Sequence, residues 1–273
     1  MNPTPTSTST STSTSLPDRT PQRMRHALRF RALDVLAVER VTPHLVRVTL
    51  GGADLEGFHS PGFDDHAKLF FPDEATGALT LPTAGPDGPV WPEGRKPTMR
   101  DYTPRRFDAE AGTLEIDFAL HVAGPATRWA EQAAPGQRLG VGGPRGSFIV
   151  PPELDWHLLV GDTTALPAIA RRLEELPAGS RRLVFVHAHA EDRRTFAGAA
   201  DVDVNWFDTP DALVGALRDA VLPHGDGFAW GGGEASLMAR VRQVLNDKGM
   251  PREATRVSAY WKKGMSAHHE HLE

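Results

Sequence analysis

Two different hydrophobic periodicities divide this chain. In the first half, apolar and polar residues alternate, most clearly over residues 46–50 and 114–120. Alternation with a period of two is typical of short strands that bury one face. Residues 83–97 are rich in Pro and Gly and predict a long surface loop. The pattern therefore predicts an antiparallel β-barrel or sandwich.

The second half has the pattern of alternating strands and helices. Residues 156–160 and 183–186 are continuous apolar runs, which suit strands that are covered on both faces. Apolar residues recur at helical spacing over residues 166–176 and 237–245. This alternation predicts an α/β fold with a doubly wound parallel sheet.

The predicted boundary between the halves lies at Pro151 and Pro152. We predict two domains, an N-terminal antiparallel β-barrel over residues 26–150 and a C-terminal α/β domain over residues 153–265. The N-terminus is almost wholly Ser, Thr and Pro, which bury too little apolar surface to order a chain, so residues 1–25 are predicted to be a disordered tail. Residues 266–273 are predicted to be a C-terminal tail.

The composition limits the classes of function. With 40% apolar and 24% charged residues, the chain of 273 residues has the composition of a soluble globular protein. Its net charge of -5 offers no basic surface for nucleic acid. The chain lacks both the ~18 consecutive apolar residues of a membrane span and a signal-peptide pattern, so we expect a cytoplasmic protein without a membrane partner. The absence of cysteine excludes cysteine-ligated iron–sulfur clusters and thiol catalysis, so any electron transfer needs a bound organic cofactor.

Residues 100–148 contain the features of a flavin-binding segment. The sequence Arg-x-Tyr-Thr at residues 100–103 lies on a predicted strand, where a phenol can lie against an isoalloxazine ring and a guanidinium can pair with pyrophosphate. The sequence Gly-Pro-Ala-Thr at residues 124–127 opens a short helix whose free N–H groups can face the same phosphates. Alone, each motif also fits an ordinary barrel strand or helix start. Together they suit a flavin dinucleotide.

Three motifs in combination resemble a known family. They are Arg-x-Tyr-Thr at residues 100–103, Asp-Phe-x-Leu-His at residues 117–121 and Gly-Pro-Ala-x-x-Trp-Ala at residues 124–130. This set is similar to that of the siderophore-interacting proteins, the flavin-dependent ferric-siderophore reductases of the ferredoxin-NADP reductase-like superfamily, and the likeness extends over residues 38–264. It implies a six-stranded barrel that binds FAD, an α/β domain that binds NAD(P)H, and a cofactor site in the crevice between them.

The resemblance also implies which residues contact FAD. For His121, a structural place at a strand end is as good an interpretation as a cofactor contact. Gly146 and Ser147 are predicted to complete the wall on the phosphate side. The full set of predicted FAD-binding residues is Arg100, Tyr102, Thr103, Asp117, Phe118, His121, Gly124, Pro125, Ala126, Thr127, Gly146 and Ser147.

Two loops are predicted to bind NAD(P)H. Residues 161–167 follow a buried strand and lack the Gly-x-Gly-x-x-Gly fingerprint, but they resemble the family's Gly-Asp-x-Thr-Ala-Leu-Pro-Ala segment. Residues 230–235 are glycine-rich, which leaves room for a ligand near the backbone, and the resemblance implies that they border the nicotinamide. The predicted NAD(P)H-binding residues are Asp162, Thr163, Thr164, Ala165, Arg193, Arg194, Gly231, Gly232, Gly233 and Glu234.

The choice between NADH and NADPH stays open from the sequence. Arg193 and Arg194 suit the 2′-phosphate of NADPH, whereas Glu191 and Asp192 suit the ribose hydroxyls of NADH. We favour NADPH slightly. A solvated charged loop is an equally good interpretation of the same residues.

The last predicted strand ends in a candidate substrate-binding segment. Tyr260, Trp261, Lys262 and Lys263 precede Gly264 and resemble the family's Tyr-Trp-Arg-x-Gly ending. The two lysines can attract an anionic ferric siderophore, although Lys in place of Arg loses the planar bidentate fork. A final strand with solvated lysines is the alternative interpretation.

The sequence therefore predicts an oxidoreductase that uses NAD(P)H and FAD to reduce a ferric siderophore and release ferrous iron. We predict no catalytic side chain, because the flavin carries the chemistry, and no metal site, because the histidines lack a metal-site spacing such as His-Glu-x-x-His. The alternatives are an NAD(P)H:flavin or ferredoxin-type oxidoreductase without siderophore recognition, and a non-catalytic flavin- or siderophore-binding module. A ferredoxin is a further candidate partner, and a monomer is expected.

Overall fold

The computed structural model describes residues 19–86, 88–92, 96–120, 124–196, 202, 204–264 and 270–272. Some predictions fall outside these ranges. The predicted N-terminal tail lies outside them up to residue 18, and so do His121 and residues 266–269 of the predicted C-terminal tail.

The first part of the chain is built mainly from strands. Its elements are β1 (Gln22–Arg25), β2 (Phe30–Thr42), β3 (Leu45–Gly51), β4 (Ala67–Phe70), β5 (Thr83–Gly85), β6 (Gly88–Val90), β7 (Met99–Tyr102), β8 (Pro104–Asp108), β9 (Thr113–Ala119), α1 (Pro125–Glu131), β10 (Arg138–Gly142) and β11 (Gly146–Ile149). The alternating apolar residues of β2, β3, β4, β9 and β10 meet in one core. Leu33, Val48, Leu69, Ile116 and Leu139 each have no exposed surface there.

The main sheet of this domain closes on itself. Its strands pair antiparallel in the order β7-β4-β10-β2-β3-β9-β8. The two end strands, β7 and β8, are separated along the chain only by Thr103, so they form one interrupted strand that joins both ends of the sheet. With β7 and β8 counted as one strand, the sheet is a closed barrel of six strands, as predicted. The predicted loop over residues 83–97 contains the hairpin β5–β6.

The second part is the predicted α/β domain. Its elements are β12 (Trp156–Asp162), α2 (Leu166–Glu175), β13 (Arg181–His187), β14 (Val204–Phe207), α3 (Pro210–Asp219), β15 (Gly227–Glu234), α4 (Ala235–Asp247), β16 (Thr255–Trp261) and β17 (Glu270–Leu272). The sheet order is β14-β13-β12-β15-β16-β17, and every pair except β16–β17 is parallel. The strand order reverses direction at β12, which makes the sheet doubly wound.

Helices cover both faces of this sheet. Along β12, Leu159 packs on the face that α2 covers, whereas Leu158 and Val160 pack on the face that α3 and α4 cover. This alternation explains why the strand is a continuous apolar run in the sequence, since every side chain enters one of two cores.

Short segments assigned to the tails are part of the fold. Strand β1, within the predicted tail of residues 1–25, pairs antiparallel with β11, so that Gln22 lies opposite Ile149. Strand β17 pairs with β16 in the same way. Both segments supply backbone partners to strands that would otherwise be sheet edges, a role that composition does not reveal.

Buried charges join the two domains. Asp64 precedes β4 and is almost fully buried, and its Oδ2 accepts hydrogen bonds from Arg256 Nε at 2.6 Å and Trp230 Nε1 at 3.1 Å. Arg105 on β8 forms a two-pronged ion pair with Glu174 on α2, with one contact at 2.9 Å. Because charges buried without partners are costly, these pairs fix how the barrel meets the α/β domain.

The α/β core contains a histidine that makes stability depend on pH. His157 on β12 is 1% exposed, and burial, followed by the positive charge of Arg172, lowers its pKa to about 4. The unfolded chain binds this proton at the ordinary pKa near 6.5, so between pH ~6.5 and ~4 it binds more protons than the folded chain. The free energy of unfolding should therefore fall by up to about 3 kcal/mol as the pH drops through this range.

Urea unfolding of the wild type and of His157→Gln between pH 7 and pH 4.5 tests this prediction. We expect the variant to lose the His157 share of the pH dependence, because glutamine does not titrate. His224→Gln, at an exposed position, should keep the wild-type dependence. Identical pH profiles for the wild type and His157→Gln would contradict the assignment.

Candidate functional site

The Arg-x-Tyr-Thr strand places an aromatic row beside the barrel core. Tyr102 on β7 is half-buried, and its ring centroid lies 4.5 Å from that of Phe118. Phe118 lies in turn 5.6 Å from Trp129 on α1. Burial raises the pKa of the Tyr102 phenol, against the opposing effect of nearby Arg100, so the phenol stays neutral. Phe118 has no exposed surface, and the rings are tilted by 45° and 47°, so Phe118 supports the half-buried Tyr102 and Trp129 rings from the core.

Arg100 on the same strand has unused donors. Its guanidinium makes one hydrogen bond to the described residues, from Nη1 to the Met99 carbonyl at 2.6 Å, and none of their carboxylates lies within 4.0 Å. Arg47, Arg105 and Arg256 are each paired with a carboxylate instead. A half-buried guanidinium without a counter-charge is suited to an anionic ligand.

The start of α1 has no side-chain cap from its N-cap residue. Gly124 is the N-cap residue in an extended conformation and supplies no side-chain cap, and Pro125 occupies the first turn. Ala126 is buried and Thr127 is half-buried in the same turn. A contact between this turn and phosphate stays a prediction.

Other predicted FAD-binding residues are engaged by the protein itself. Asp117 is 2% exposed and accepts two hydrogen bonds from Arg47, at 2.7 and 3.0 Å. Ser147 donates to Asp65 Oδ2 at 2.6 Å and lies 2.8 Å from His26 Nε2. Gly146 pairs with β1. Their polar side-chain atoms support the strands around the aromatic row, and a direct FAD contact for these residues stays a prediction.

Asp65, which accepts the hydrogen bond from Ser147, is a carboxyl whose pKa is shifted by its surroundings. Burial raises the pKa of Asp65, and the neighbouring Asp64 adds to this effect. Hydrogen bonds from Ser147, Ser60 and the Gly62 amide oppose the rise without cancelling it.

Asp162 connects three strands at the carboxyl edge of the α/β sheet. It is 5% exposed at the end of β12, and its Oδ1 accepts from the amide and the hydroxyl of Thr164, at 2.9 and 2.5 Å. Its Oδ2 accepts from the Glu234 amide at 2.7 Å and from Trp261 Nε1 at 3.0 Å. Both oxygens thus hold the edge together, and a coenzyme contact for Asp162 stays a prediction.

The glycines of the second loop accommodate side chains of the protein. A Cβ on Gly232 would lie 2.9 Å from Trp230 and 3.1 Å from Tyr260. Gly233 has a φ of +151°, and its Cβ would lie 2.7 Å from Asp162 Oδ2. Side chains of the protein therefore occupy the Cβ direction at both positions, and a coenzyme contact for these glycines stays a prediction.

Glu234 follows these glycines and caps helix α4. Its carboxylate accepts hydrogen bonds from the Ser236 amide at 2.6 Å and the Leu237 amide at 3.1 Å. Burial alone would raise the pKa of Glu234, but these bonds, the Ser236 hydroxyl and the Lys263 amide lower it below its ordinary value. Glu234 is therefore an ionised cap that positions the loop.

The loop after β13 is anchored to the barrel. Asp192 has no exposed surface, and it accepts from the Thr42 hydroxyl at 2.7 Å and from the His44 amide at 3.0 Å. Burial would raise the pKa of Asp192, but these bonds hold it below the ordinary value. Arg194 turns toward Asp117 of the barrel at 3.9 Å, and burial lowers its pKa. Arg193 keeps 30% of its side chain exposed.

The C-terminal segment divides into a buried and an exposed half. Tyr260 packs near Trp230, and its hydroxyl shares a hydrogen bond with the side chain of Thr103 in the barrel. Burial, and then the charge of Asp64, raise the pKa of Tyr260. Lys262 and Lys263 are exposed. The segment thus combines a domain contact with two solvent-facing cations.

The residues that join the barrel to the α/β domain have no recognisable signal in the sequence. Asp64, Arg256 and Thr42 belong to no motif, and their partners lie 148 or more residues away along the chain.

Among the described residues, no group of three or more His, Cys, Asp or Glu is arranged to hold a metal ion. Within the same ranges, no helix is long and apolar enough to cross a membrane.

Comparison with known proteins agrees with this geometry. Residues 34–148 match the siderophore-interacting FAD-binding domain, and residues 154–264 match the siderophore-interacting protein family model. The NADPH-dependent ferric-chelate reductase of Escherichia coli is 40% identical over 89% of this chain and 97% of that protein. The ferric vibriobactin reductase ViuB of Vibrio cholerae is 34% identical over 88% of this chain and 93% of that protein.

Solved structures give the same result. A siderophore utilization protein from T. fusca superposes with a TM-score of 0.85 and 39% identity, covering 91% of this chain and 98% of the other. A ferredoxin reductase of carbazole 1,9a-dioxygenase, at 18% identity and a TM-score of 0.55, shares the fold. The two family matches, the relatives and the barrel with its adjoining α/β domain lead to one conclusion: this chain belongs to the siderophore-interacting protein family.

Proposed function

We propose that this protein is an NAD(P)H-dependent, FAD-mediated ferric-siderophore reductase. The observation that carries the proposal is the half-buried guanidinium of Arg100, which has no carboxylate partner among the described residues and lies two residues from the half-buried Tyr102. The uncapped start of α1 lies on the same domain. These groups fit the pyrophosphate and the ring system of FAD. The activities named for the E. coli and V. cholerae relatives support the same function.

The flavin supplies the electron chemistry. When bound, FAD would supply the route by which the two electrons of a hydride from NAD(P)H reach ferric iron one at a time. Ferrous iron binds the oxygen ligands of a siderophore much more weakly than ferric iron, so reduction releases it. This chemistry requires neither a nucleophile nor a general acid from the protein.

The side chains have the task of binding and orientation. Arg100 and the first-turn amides of α1 would hold the pyrophosphate, and Tyr102 would pack against the ring system. The hydrogen bond between Thr103 and Tyr260 joins this strand to the coenzyme-binding domain. Asp162 and Glu234 keep the carboxyl edge of that domain rigid. The flavin ring and the nicotinamide would thereby be held in one relative orientation.

The exposed Lys262 and Lys263 are the proposed contact for the ferric siderophore. They follow Tyr260, which contacts Thr103 of the barrel, and Trp261, which donates to Asp162, so an anion attracted to them would arrive near the boundary between the domains. Exposed lysines steer anions by long-range attraction without fixing their orientation. The expected ferredoxin partner, monomeric state and cytoplasmic location stay predictions.

The first test concerns Arg100 and FAD. Arg100→Gln should weaken FAD binding by about tenfold to a hundredfold, because it removes a charge-assisted contact with the pyrophosphate. Titration of the apoprotein with FAD, followed by quenching of flavin fluorescence, measures this affinity. NADPH-dependent ferric reduction, followed with a ferrous chelator, should recover toward the wild-type rate at saturating FAD. Arg106→Gln, on the exposed side of neighbouring β8, is the matched control. Equal FAD affinity in the two variants would exclude Arg100 from the site.

The second test concerns the lysines and the substrate. The double variant Lys262→Gln and Lys263→Gln should raise the KM for an anionic tris-catecholate ferric siderophore by about threefold to tenfold, with FAD affinity unchanged. A neutral tris-hydroxamate complex should be reduced as well as by the wild type, and the difference should shrink at high salt. Arg252→Gln, another exposed cation of this domain, is the control. A loss equal for both siderophore classes would contradict an electrostatic role.

A further inference from the structure

One exposed ion pair lies where two parallel strands end. Arg193 follows β13 in the chain, and Asp208 comes directly after β14. Because β13 and β14 are parallel neighbours, their carboxyl ends lie at the same edge of the sheet. The Arg193 guanidinium donates to Asp208 Oδ1, and the two side chains are 30% and 79% exposed.

Two neighbouring charges of this loop, Asp192 and Arg194, are engaged elsewhere. Asp192 is fully buried against Thr42 and His44, so it is not available to ribose hydroxyls. Arg194 faces Asp117 of the barrel and covers the Phe196 ring, with 5.5 Å between its guanidinium carbon and the ring centroid. Glu191 is exposed, and of the two arginines Arg193 is the one whose ion-pair partner, Asp208, is also exposed.

This position has a known chemical meaning in doubly wound sheets. The loop after the second strand meets the adenosine ribose, where an arginine accommodates a 2′-phosphate and an acid accepts hydrogen bonds from a free 2′-hydroxyl. Strand β13 is the second strand of this domain. In this pair, Arg193 therefore suits a 2′-phosphate and Asp208 suits a free 2′-hydroxyl.

We propose that Asp208 is the specificity-determining residue for the coenzyme, because it competes with the 2′-phosphate of NADPH for Arg193. This inference rests on the proposed function and deepens it. An exposed ion pair contributes little net free energy, so a phosphate can displace the carboxylate. The displaced Asp208 stays beside the phosphate and repels it, whereas it can accept a hydrogen bond from the 2′-hydroxyl of NADH. The wild type thus has a reduced preference for NADPH.

Binding of adenosine nucleotides tests the proposal without any turnover. Isothermal titration calorimetry with 2′,5′-ADP and with 5′-AMP compares a ligand that has the 2′-phosphate with one that lacks it. Asp208→Asn should tighten 2′,5′-ADP binding by about fivefold, because it removes a competing negative charge. Binding of 5′-AMP should stay the same, because the amide oxygen of asparagine can still accept a hydrogen bond from the 2′-hydroxyl. Arg193→Gln should weaken 2′,5′-ADP binding by about tenfold or more, again with 5′-AMP unchanged. In Arg193→Gln, the further change Asp208→Asn should have a smaller effect, because the competition needs the arginine.

A matched control separates this effect from general surface charge. Asp211→Asn breaks another exposed ion pair of the same domain, formed with Arg240 at 2.7 Å. It should leave 2′,5′-ADP binding at the wild-type value. The ratio of kcat/KM for NADPH to that for NADH should rise about fivefold in Asp208→Asn and stay constant in Asp211→Asn.

Two results would overturn the proposal. One is an equal response of 2′,5′-ADP binding to Asp208→Asn and Asp211→Asn. The other is the absence of 2′,5′-ADP binding to the wild type. Neither result bears on the proposed reductase function, which is judged separately by reducing the bound FAD with dithionite and following the transfer of its electrons to a ferric siderophore.

Discussion

The contact between the two domains is the constraint on which the rest of this structure depends. Hydride transfer demands that a nicotinamide held by one domain reach a flavin held by the other, so an error of an ångström in their docking costs rate. Here the docking is secured by buried charges. Asp64 of the barrel binds Arg256 and Trp230 of the α/β domain, and Asp192 of the α/β domain binds Thr42 and His44 of the barrel. A buried carboxylate that loses its partner is costly, so alternative dockings are disfavoured.

The candidate site follows from this docking. Thr103, which follows β7, and Tyr260 on β16 meet across the boundary, so the proposed flavin strand and the last parallel strand are linked at one point. Asp162 connects the ends of three strands of the coenzyme domain. A larger residue than glycine would not fit at positions 232 and 233, because Trp230, Tyr260 and Asp162 fill the adjacent space. The buried polar groups thus hold the two domains in a fixed arrangement, which suits an enzyme whose chemistry is supplied by the cofactor.

Much of the fold could be predicted from local patterns, because each pattern has a local physical cause. The alternation in β3 and β9 follows from one buried face, and the continuous apolar run of β12 follows from two. The docking charges had no such signal. Asp64 and Arg256 are 192 residues apart, and nothing in the composition around either residue points to the other. For the same reason the pairing of β1 with β11 was hidden in a segment whose composition indicates a tail.

The site itself was predicted in outline, and the structure changes the interpretation of individual residues. Arg100 has donors without a partner among the described residues and Tyr102 is half-buried, whereas Asp117, Asp162 and Gly233 serve internal contacts. Motif matching cannot separate these two groups, because a residue that orients the site recurs in a motif as regularly as one that touches the cofactor. Side-chain geometry separates them.

The most direct test of the central claim is an anaerobic absorbance titration of the FAD-reconstituted protein. NADPH or NADH is added first, and a ferric siderophore with a ferrous chelator follows. The account predicts that the flavin band bleaches with the coenzyme and then returns in step with the appearance of ferrous iron. A flavin band that bleaches and stays bleached with every ferric siderophore offered would contradict it.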